Sequence, residues 1–336
     1  MRQTNKIRKG IAWLLCTVLV LGILPMLPQM SMQISAAENA ASVFVDGVEL
    51  HAGGKEYFKN GDTADSGATG TYEDHSAYYD TAGELWLNNL EAHTIKANGN
   101  LTIYVCNNQE TNTNIVTATQ NETAIEVTGY LTIRYGGYGG GTGSLTVESD
   151  GKEAIQAGSG MTVSDGVEVK VRAKSGATAI SSGGVLKIDG IRTKLEAAGD
   201  GSTGKGIFAQ QSIYVKNSAV LTAFGGAAAY ESPSGIDKSG YGYEDYNVFT
   251  GDAAPGTQAA KDTVLDGYKY IRIEPTGVAN VKTLTELQAA AQNQYISLIN
   301  VMNDITITDT VYVRRAVTIQ SPDASNVSKL IRGKSH

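Results

Sequence analysis

A pair made of one small residue and one isoleucine returns along this chain at nearly constant spacing. The pairs lie 30, 25 and 27 residues apart, at Ala124-Ile125, Ala154-Ile155, Ala179-Ile180 and Gly206-Ile207. Two short stretches of alternating apolar and polar residues follow each pair before the next one begins. A unit of this length cannot bury its apolar face alone, so the repeat predicts units that stack around a common core.

Residues 167–172, with the sequence VEVKVR, illustrate the local pattern within a unit. In an extended strand the valines share one face and the charged residues share the other. Three such strands per unit predict an all-β fold, a right-handed parallel β-helix with a capping region and a short C-terminal α+β segment. The chain has 39 glycines in 336 residues, which suits sharp corners between strands. A β-sandwich is the alternative, but it does not require the pair to return at the same place in every unit.

The first 37 residues have the three parts of a secretory signal. Basic residues lie within positions 2–9, an apolar run covers 11–27, and the small residues Ser35 and Ala37 precede a cleavage point before Glu38. An uncleaved anchor is the alternative, because the apolar run approaches the length that spans a bilayer. Both readings predict a secreted or cell-surface protein, with membrane contact only through this segment. Cleavage leaves Cys106 as the one cysteine, which we expect to be a buried structural thiol.

The rest of the chain divides by composition and pattern. Thr283 and Glu286 form a capping box that predicts a helix, with strands expected at 296–299, 305–307, 311–313 and 317–319. The predicted parts are a signal peptide (1–37), an N-terminal cap (38–83), a β-helix domain (84–276) with a loop insertion (230–266), and the start of a second, truncated β-helix (277–336).

Net charge excludes one class of partner. The chain has 27 basic and 34 acidic residues, a net charge of −7. Without the four basic residues of the signal segment the balance is 23 − 34 = −11. Binding to nucleic-acid phosphates needs clustered lysine and arginine, so we expect no nucleic-acid partner.

Several segments resemble known surface proteins. Residues 43–48 (VFVDGV) and 77–89 (AYYDTAGELWLNN) resemble the opening of secreted Firmicutes surface proteins. Residues 143–155 are similar to coils of the β-helical carbohydrate-binding domain family, and the resemblance extends over roughly 41–276. It implies binding of acidic or cellulosic polysaccharide and of calcium, but no calcium ligand of the family can be matched to a position here. The tail from Val281 is similar to the opening of pectin-lyase-like β-helices.

Acidic residues crowd the loop-rich region between positions 62 and 80. Calcium takes six to eight oxygen ligands, and calcium is the one ion that this composition suggests. The spacing matches no defined calcium loop, so an ordinary acidic loop is the alternative. The candidate ligands are Asp62, Asp65, Asp74 and Asp80.

Tyrosines give the clearest indication of a binding surface, because an exposed aromatic ring offers an apolar face to a sugar and a hydroxyl to its polar rim. Ordinary loop filling is the alternative. The candidate ligand-binding residues are Tyr135 and Tyr138 beside a glycine turn, and Tyr241 and Tyr243 in the insertion.

Catalytic motifs are weak in this sequence. Residues 199–205 approach a phosphate loop, but Gly206 stands where the magnesium-binding Ser or Thr belongs. A polysaccharide lyase or hydrolase of the pectin-lyase-like fold is an alternative function. The outward-facing candidates for a lyase would be Glu168, Lys170, Arg172, Lys187, Asp189, Arg192 and Lys194. We expect instead a non-catalytic protein that binds polysaccharide or cell-wall glycan or serves as an adhesin. A structural spacer is the third alternative.

Overall fold

The computed structural model of the chain describes residues 38–51, 56–71, 73–106, 113–137, 142–237, 244–293, 295–313, 315–322 and 327–333. Short strands recur in sets of three, and each turn of the solenoid, called a coil below, contributes one strand to each of three sheets. The coils pair with one another through parallel strands, which confirms the predicted parallel β-helix. In this part of the chain no helix is long and apolar enough to span a membrane.

The first sheet carries the isoleucine column that the repeat predicted. Ile125 pairs in register with Ile155, Ile155 with Ile180, and Ile180 with Ile207, and all four side chains are fully buried. Antiparallel strands β1 and β2 cap the column at its N-terminal end. The strands are β1 (Val43–Val45), β2 (Val48–Leu50), β7 (Ile95–Ala97), β10 (Ile125–Val127), β13 (Ile155–Ala157), β16 (Ile180–Ser182), β19 (Lys205–Ala209) and β22 (Ala228–Glu231).

The second sheet also begins with antiparallel strands and continues with parallel ones. Its inward residues, such as Leu131 and Ile133, are fully buried. The strands are β3 (Tyr57–Phe58), β4 (Ala77–Tyr79), β5 (Glu84–Asn88), β8 (Leu101–Cys106), β11 (Tyr130–Tyr135), β14 (Gly160–Ser164), β17 (Leu186–Asp189), β20 (Ile213–Lys216) and β23 (Ile236–Asp237).

The third sheet has the longest strands and ends in an antiparallel closure. Its parallel part is β6 (Glu91–Ala92), β9 (Asn114–Gln120), β12 (Ser144–Asp150), β15 (Glu168–Lys174), β18 (Lys194–Gly199) and β21 (Val220–Gly225). The closing strands are β26 (Tyr270–Val281), β24 (Glu244–Gly251) and β25 (Thr257–Ala259). Strand β26 runs antiparallel to β21, and β24 runs antiparallel to both β26 and β25.

The corner between the first and second sheets is built from stacked glycines. The amide of Gly129 donates to the carbonyl of Gly99 at 3.0 Å. A Cβ atom added to Gly183 would lie 1.9 Å from the carbonyl oxygen of Gly158, and one added to Gly158 would lie 2.2 Å from that of Thr128. Successive backbones therefore approach too closely here for any side chain, which explains why glycine recurs at this corner.

Residues 230–266, predicted as a loop insertion, contain regular structure in their described part. Strands β22 and β23 extend the first and second sheets by a further coil, while β24 and β25 join the third sheet. The composition is loop-like because these strands lie at the end of the stack, where several side chains face solvent instead of the core.

A second hydrophobic cluster lies in the C-terminal segment. The predicted helix is present as α1 (Leu284–Gln292), and both hydrogen bonds of its capping box between Thr283 and Glu286 are formed. Strand β26 continues from the closing sheet into this segment and pairs with β27. Residues 311–313 form no strand there, and Val313 is exposed. The strands are β27 (Leu298–Val301), β28 (Ile305–Ile307), β29 (Thr318–Gln320) and β30 (Leu330–Arg332).

Candidate functional site

A groove of about 630 Å³ crosses the outward face of the third sheet. Its floor is formed by side chains of β12, β15, β18 and β21, and Tyr270 of β26 closes one end. Ala253 and Ala254 from the turn between β24 and β25 form part of its lining. We call this feature the third-sheet groove.

The register of the sheet places two columns of outward side chains along the groove. One column follows the pairing of Thr146 with Lys170, Lys170 with Glu196, and Glu196 with Thr222. The other runs from Glu148 through Arg172 and Ala198 to Phe224 and Tyr270. The period of two directs these residues outward while the valines and leucines between them fill the core.

Ala198 marks the low point of the second column. It lies between the long side chain of Arg172 and the ring of Phe224 on the neighbouring strands. Because its side chain is a single methyl group, the floor is open there. The inward neighbours Leu195 and Ala197 are buried, so Ala198 belongs to the surface and its substitution need not disturb the core.

Ion pairs connect most charges in and beside the groove. The Nη2 atom of Arg172 lies 2.5 Å from Oδ2 of Asp200, and its Nε atom donates to the same oxygen at 2.8 Å. Lys174 Nζ lies 2.9 Å from a carboxylate oxygen of Glu148. The groove therefore offers donors and acceptors of both signs without a large net charge.

Tyr270 is the most buried polar group of the groove, with a relative exposure of 5%. Burial is the main reason why the pKa of its hydroxyl is raised; Arg272 opposes the shift, and Glu274 and Glu196 add to it. The ring packs against Gly256, where an added Cβ would come within 2.8 Å of it. Tyr270 thus contributes a largely buried hydroxyl beside Arg272 to the closed end of the groove.

Of the four tyrosines predicted to bind ligand, only Tyr135 lies within the described residues. Its ring packs at the edge of the core, and a Cβ atom added to Gly137 would fall 2.0 Å from its hydroxyl oxygen. The ring therefore covers the glycine turn and is half-buried. Tyr138, Tyr241 and Tyr243 lie outside the described residues.

The predicted calcium ligands are distributed over separate turns. Asp62 is buried; burial alone would raise the pKa of its carboxyl, but hydrogen bonds from Thr69 and the Lys59 amide lower it below the usual value. Asp65 is exposed. Asp74 forms a 2.7 Å ion pair with Lys59.

Asp80 accepts hydrogen bonds from the amides of Ala82 and Glu84 and from Nε1 of Trp86 at 3.0 Å. Donors from the chain thus already occupy oxygens of three of the four carboxylates, Asp62, Asp74 and Asp80. Among the described residues, no group of three or more His, Cys, Asp or Glu side chains is arranged to hold a metal ion. Calcium binding stays a prediction.

The residues considered for a lyase lie on two different faces. Glu168, Lys170, Arg172 and Lys194 belong to the third sheet, whereas Lys187 and Asp189 pair with each other on the second sheet at 2.5 Å. Arg192 lies in a turn, where its Nε atom donates to the hydroxyl of Tyr295 at 2.9 Å. These residues do not form one cluster.

Sequence reasoning missed an aromatic stack on the second sheet. The rings of Trp86 and Tyr104 are 4.1 Å apart and inclined by 7°, and the guanidinium of Arg134 lies 5.3 Å from the centre of the Tyr104 ring. Both faces of Tyr104 are therefore covered, which suits a structural role better than sugar binding. The alternating patterns at residues 85–87 (LWL) and 103–105 (IYV) would have been enough to predict that both rings point outward.

Sequence reasoning also missed Ala198, Phe224 and Tyr270 as parts of a shared site. Alternation places each of them relative to its own strand, but their proximity depends on the register between coils of unequal length. The turn that carries Ala253 and Ala254 depends in addition on the antiparallel closure.

One family model matches the chain. Residues 278–336 match the model described as a pectate lyase-like adhesive domain. No curated protein and no solved structure is significantly similar to the chain. Together with the parallel β-solenoid, the match supports a β-helical domain of the surface-protein type, and it lies outside the third-sheet groove.

Proposed function

We propose that this chain is a secreted or cell-surface adhesin that binds an extended polysaccharide in the third-sheet groove without catalysing a reaction. The observation that carries the proposal is the continuity of the groove across β12, β15, β18, β21 and β26. Five neighbouring strands span four inter-strand spacings, roughly 19 Å. A groove of this length suits several consecutive sugar units of a polymer.

The chemistry of the lining supports a polyhydroxylated ligand. Lys170 and Arg172 donate hydrogen bonds, Glu148 and Glu196 accept them, and the hydroxyl of Tyr270 does both. The ring of Phe224 adds an apolar surface to these polar groups. Sugar-binding sites need such a combination, because each sugar ring has an apolar face and a polar rim.

The surface location rests on two independent observations. The first 37 residues have the pattern of a secretory signal, and the C-terminal segment resembles an adhesive domain. An adhesin needs no reaction centre, only a ligand site held on a rigid scaffold. The stacked coils are such a scaffold, since each strand of the groove is paired on both sides.

Retention of the protein on immobilised polysaccharides tests this function. We expect the chain to be retained by at least one polymer of a panel of plant and bacterial cell-wall glycans. Ala198→Trp should abolish most of the retention, because the indole fills the open floor between Arg172 and Phe224. The matched control is Ser181→Trp, an outward position on β16 of the first sheet, and it should bind like the natural chain.

Circular dichroism and thermal unfolding should show that both tryptophan variants keep the fold. Equal retention of the two variants would contradict the groove as the site. A folded natural chain that no polymer of the panel retains would contradict polysaccharide binding and favour a structural spacer.

A further inference from the structure

We infer that the third-sheet groove selects uncharged polysaccharides and rejects acidic ones, and that Glu196 is the residue that makes this distinction. The inference rests on the proposed function, because it names the ligand class of the same groove. It follows from how the charges along the groove are paired.

The cations near the groove already have carboxylate partners. Arg172 makes two hydrogen bonds to Asp200, at 2.8 and 2.5 Å, and Lys174 pairs with Glu148 at 2.9 Å. At the closed end, Arg272 pairs with Glu274. A carboxylate beside each cation already offsets its positive charge, so the net attraction for an acidic polymer is small.

Lys170 is the cation closest in register to Glu196, yet its Nζ atom lies 3.3 Å from Glu168. A carboxylate oxygen of Glu168 also forms an ion pair with Nζ of Lys194, at a distance of 3.7 Å. Lys170 and Lys194 thus share one carboxylate.

Glu196 differs from these carboxylates. It is exposed on the groove floor and makes no ion pair or side-chain hydrogen bond within the described part of the chain. An acidic polymer lying along the groove would place a like charge beside this carboxylate, and like-charge contacts are an effective means of rejecting a ligand.

An uncharged polymer meets no such penalty. Its hydroxyl groups can donate to Glu196 and accept from Lys170 and Arg172 without breaking an ion pair, because each oxygen and nitrogen atom can form more than one hydrogen bond. The five charged lining residues, Glu148, Lys170, Arg172, Glu196 and Asp200, sum to −3 + 2 = −1. With Lys174, the ion-pair partner of Glu148, the sum is zero, so the groove as a whole does not attract anions and the carboxylate of Glu196 repels them locally.

Two pairs of polymers with matched backbones test the inference on the full chain. Hydroxyethyl cellulose is compared with carboxymethyl cellulose, and fully methyl-esterified pectin with polygalacturonate. In low salt we expect the natural chain to bind an uncharged member more tightly than its acidic counterpart. Added salt should reduce this difference in affinity, because it screens the repulsion between Glu196 and the carboxylates of the acidic polymer.

Glu196→Lys should raise the affinity for the acidic member relative to that for its uncharged counterpart roughly two- to fivefold, the scale of an exposed charge pair. The matched control is Glu126→Lys, the same charge change on β10 of the first sheet, and it should alter neither affinity. Both variants must show the thermal unfolding of the natural chain.

The outcomes separate the two proposals. Equal or tighter binding of the acidic member by the natural chain, or no gain from Glu196→Lys, overturns the charge selectivity but leaves polysaccharide binding in place. If the natural chain binds none of the four polymers and no glycan of the wider panel, the binding function and this inference are both contradicted.

Discussion

Trp86 and Tyr104 lie on adjacent strands of the second sheet with their rings 4.1 Å apart and nearly parallel. The indole nitrogen donates to Asp80 at 3.0 Å, which fixes the orientation of the ring. The stack therefore ties strand β5, at the start of the solenoid, to the following coil. It is better explained by stability than by ligand binding, because Trp86 and Arg134 cover both faces of the Tyr104 ring.

A double-mutant cycle tests this structural role. Trp86→Ala, Tyr104→Ala and the double variant should show a coupling of about 0.5–1.5 kcal/mol in the free energy of unfolding, the range of stacked aromatic pairs. Urea unfolding followed by circular dichroism measures it. Retention on polysaccharide should not change while the variants are folded; strictly additive stabilities, or loss of retention, would contradict the assignment.

The glycine corner gives a second prediction. Gly183→Ala should destabilise the chain by about 1–3 kcal/mol or more, because the new methyl group overlaps the backbone of the coil beside it. Ser159→Ala, an exposed position in the same corner, should change stability by less than about 0.5 kcal/mol. Chemical denaturation of both variants measures the difference, and equal stability would mean that the coils are not in close contact here.

The thiol of Cys106 provides a third prediction. Cys106, which the sequence predicted to be buried, is only partly buried. This partial burial raises the pKa of its thiol to about 11, so the unreactive thiol persists well above neutral pH. Alkylation by iodoacetamide at pH 8.5 should be at least about tenfold slower in the folded chain beginning at Glu38 than in urea. Mass spectrometry measures both rates, and similar rates would show that Cys106 is accessible.

The same pKa shift has a consequence for stability. Burial favours the neutral thiol, so the folded state loses stability relative to the unfolded state as the pH rises from the ordinary thiol value towards about 11. Cys106→Ser should reduce this alkaline loss. A stability profile unchanged by the substitution above pH 9 would contradict it.

The inward residues explain why the fold could be predicted from the sequence. Ile125, Ile155, Ile180 and Ile207 need only a period-two strand and a constant place in the unit to reveal a column, and the structure aligns them in register. The helix could also be predicted from the sequence, because the capping box between Thr283 and Glu286 is a local signal.

The groove could not be predicted in the same way. Arg172, Ala198 and Phe224 are 26 residues apart in each step, whereas Glu148 and Arg172 are 24 apart and Ile115 and Thr146 are 31 apart. The alignment of the groove residues therefore depends on loop lengths that no pattern fixes. Composition also favoured a loop at 244–251, where β24 forms and leads into the turn beside the groove. Many residue types fit an outward position on a strand, so the residue found there says little about which residues of other strands lie beside it.

Hydroxyl-radical footprinting of the natural chain locates the bound polymer, since it compares the exposure of individual aromatic side chains with and without polysaccharide. With the best-retained neutral polymer bound, the account predicts reduced oxidation of Phe224 in the groove and unchanged oxidation of Tyr214 on the outward face of the second sheet. Protection of Tyr214 with Phe224 unchanged would place the polymer on a different face and contradict the account.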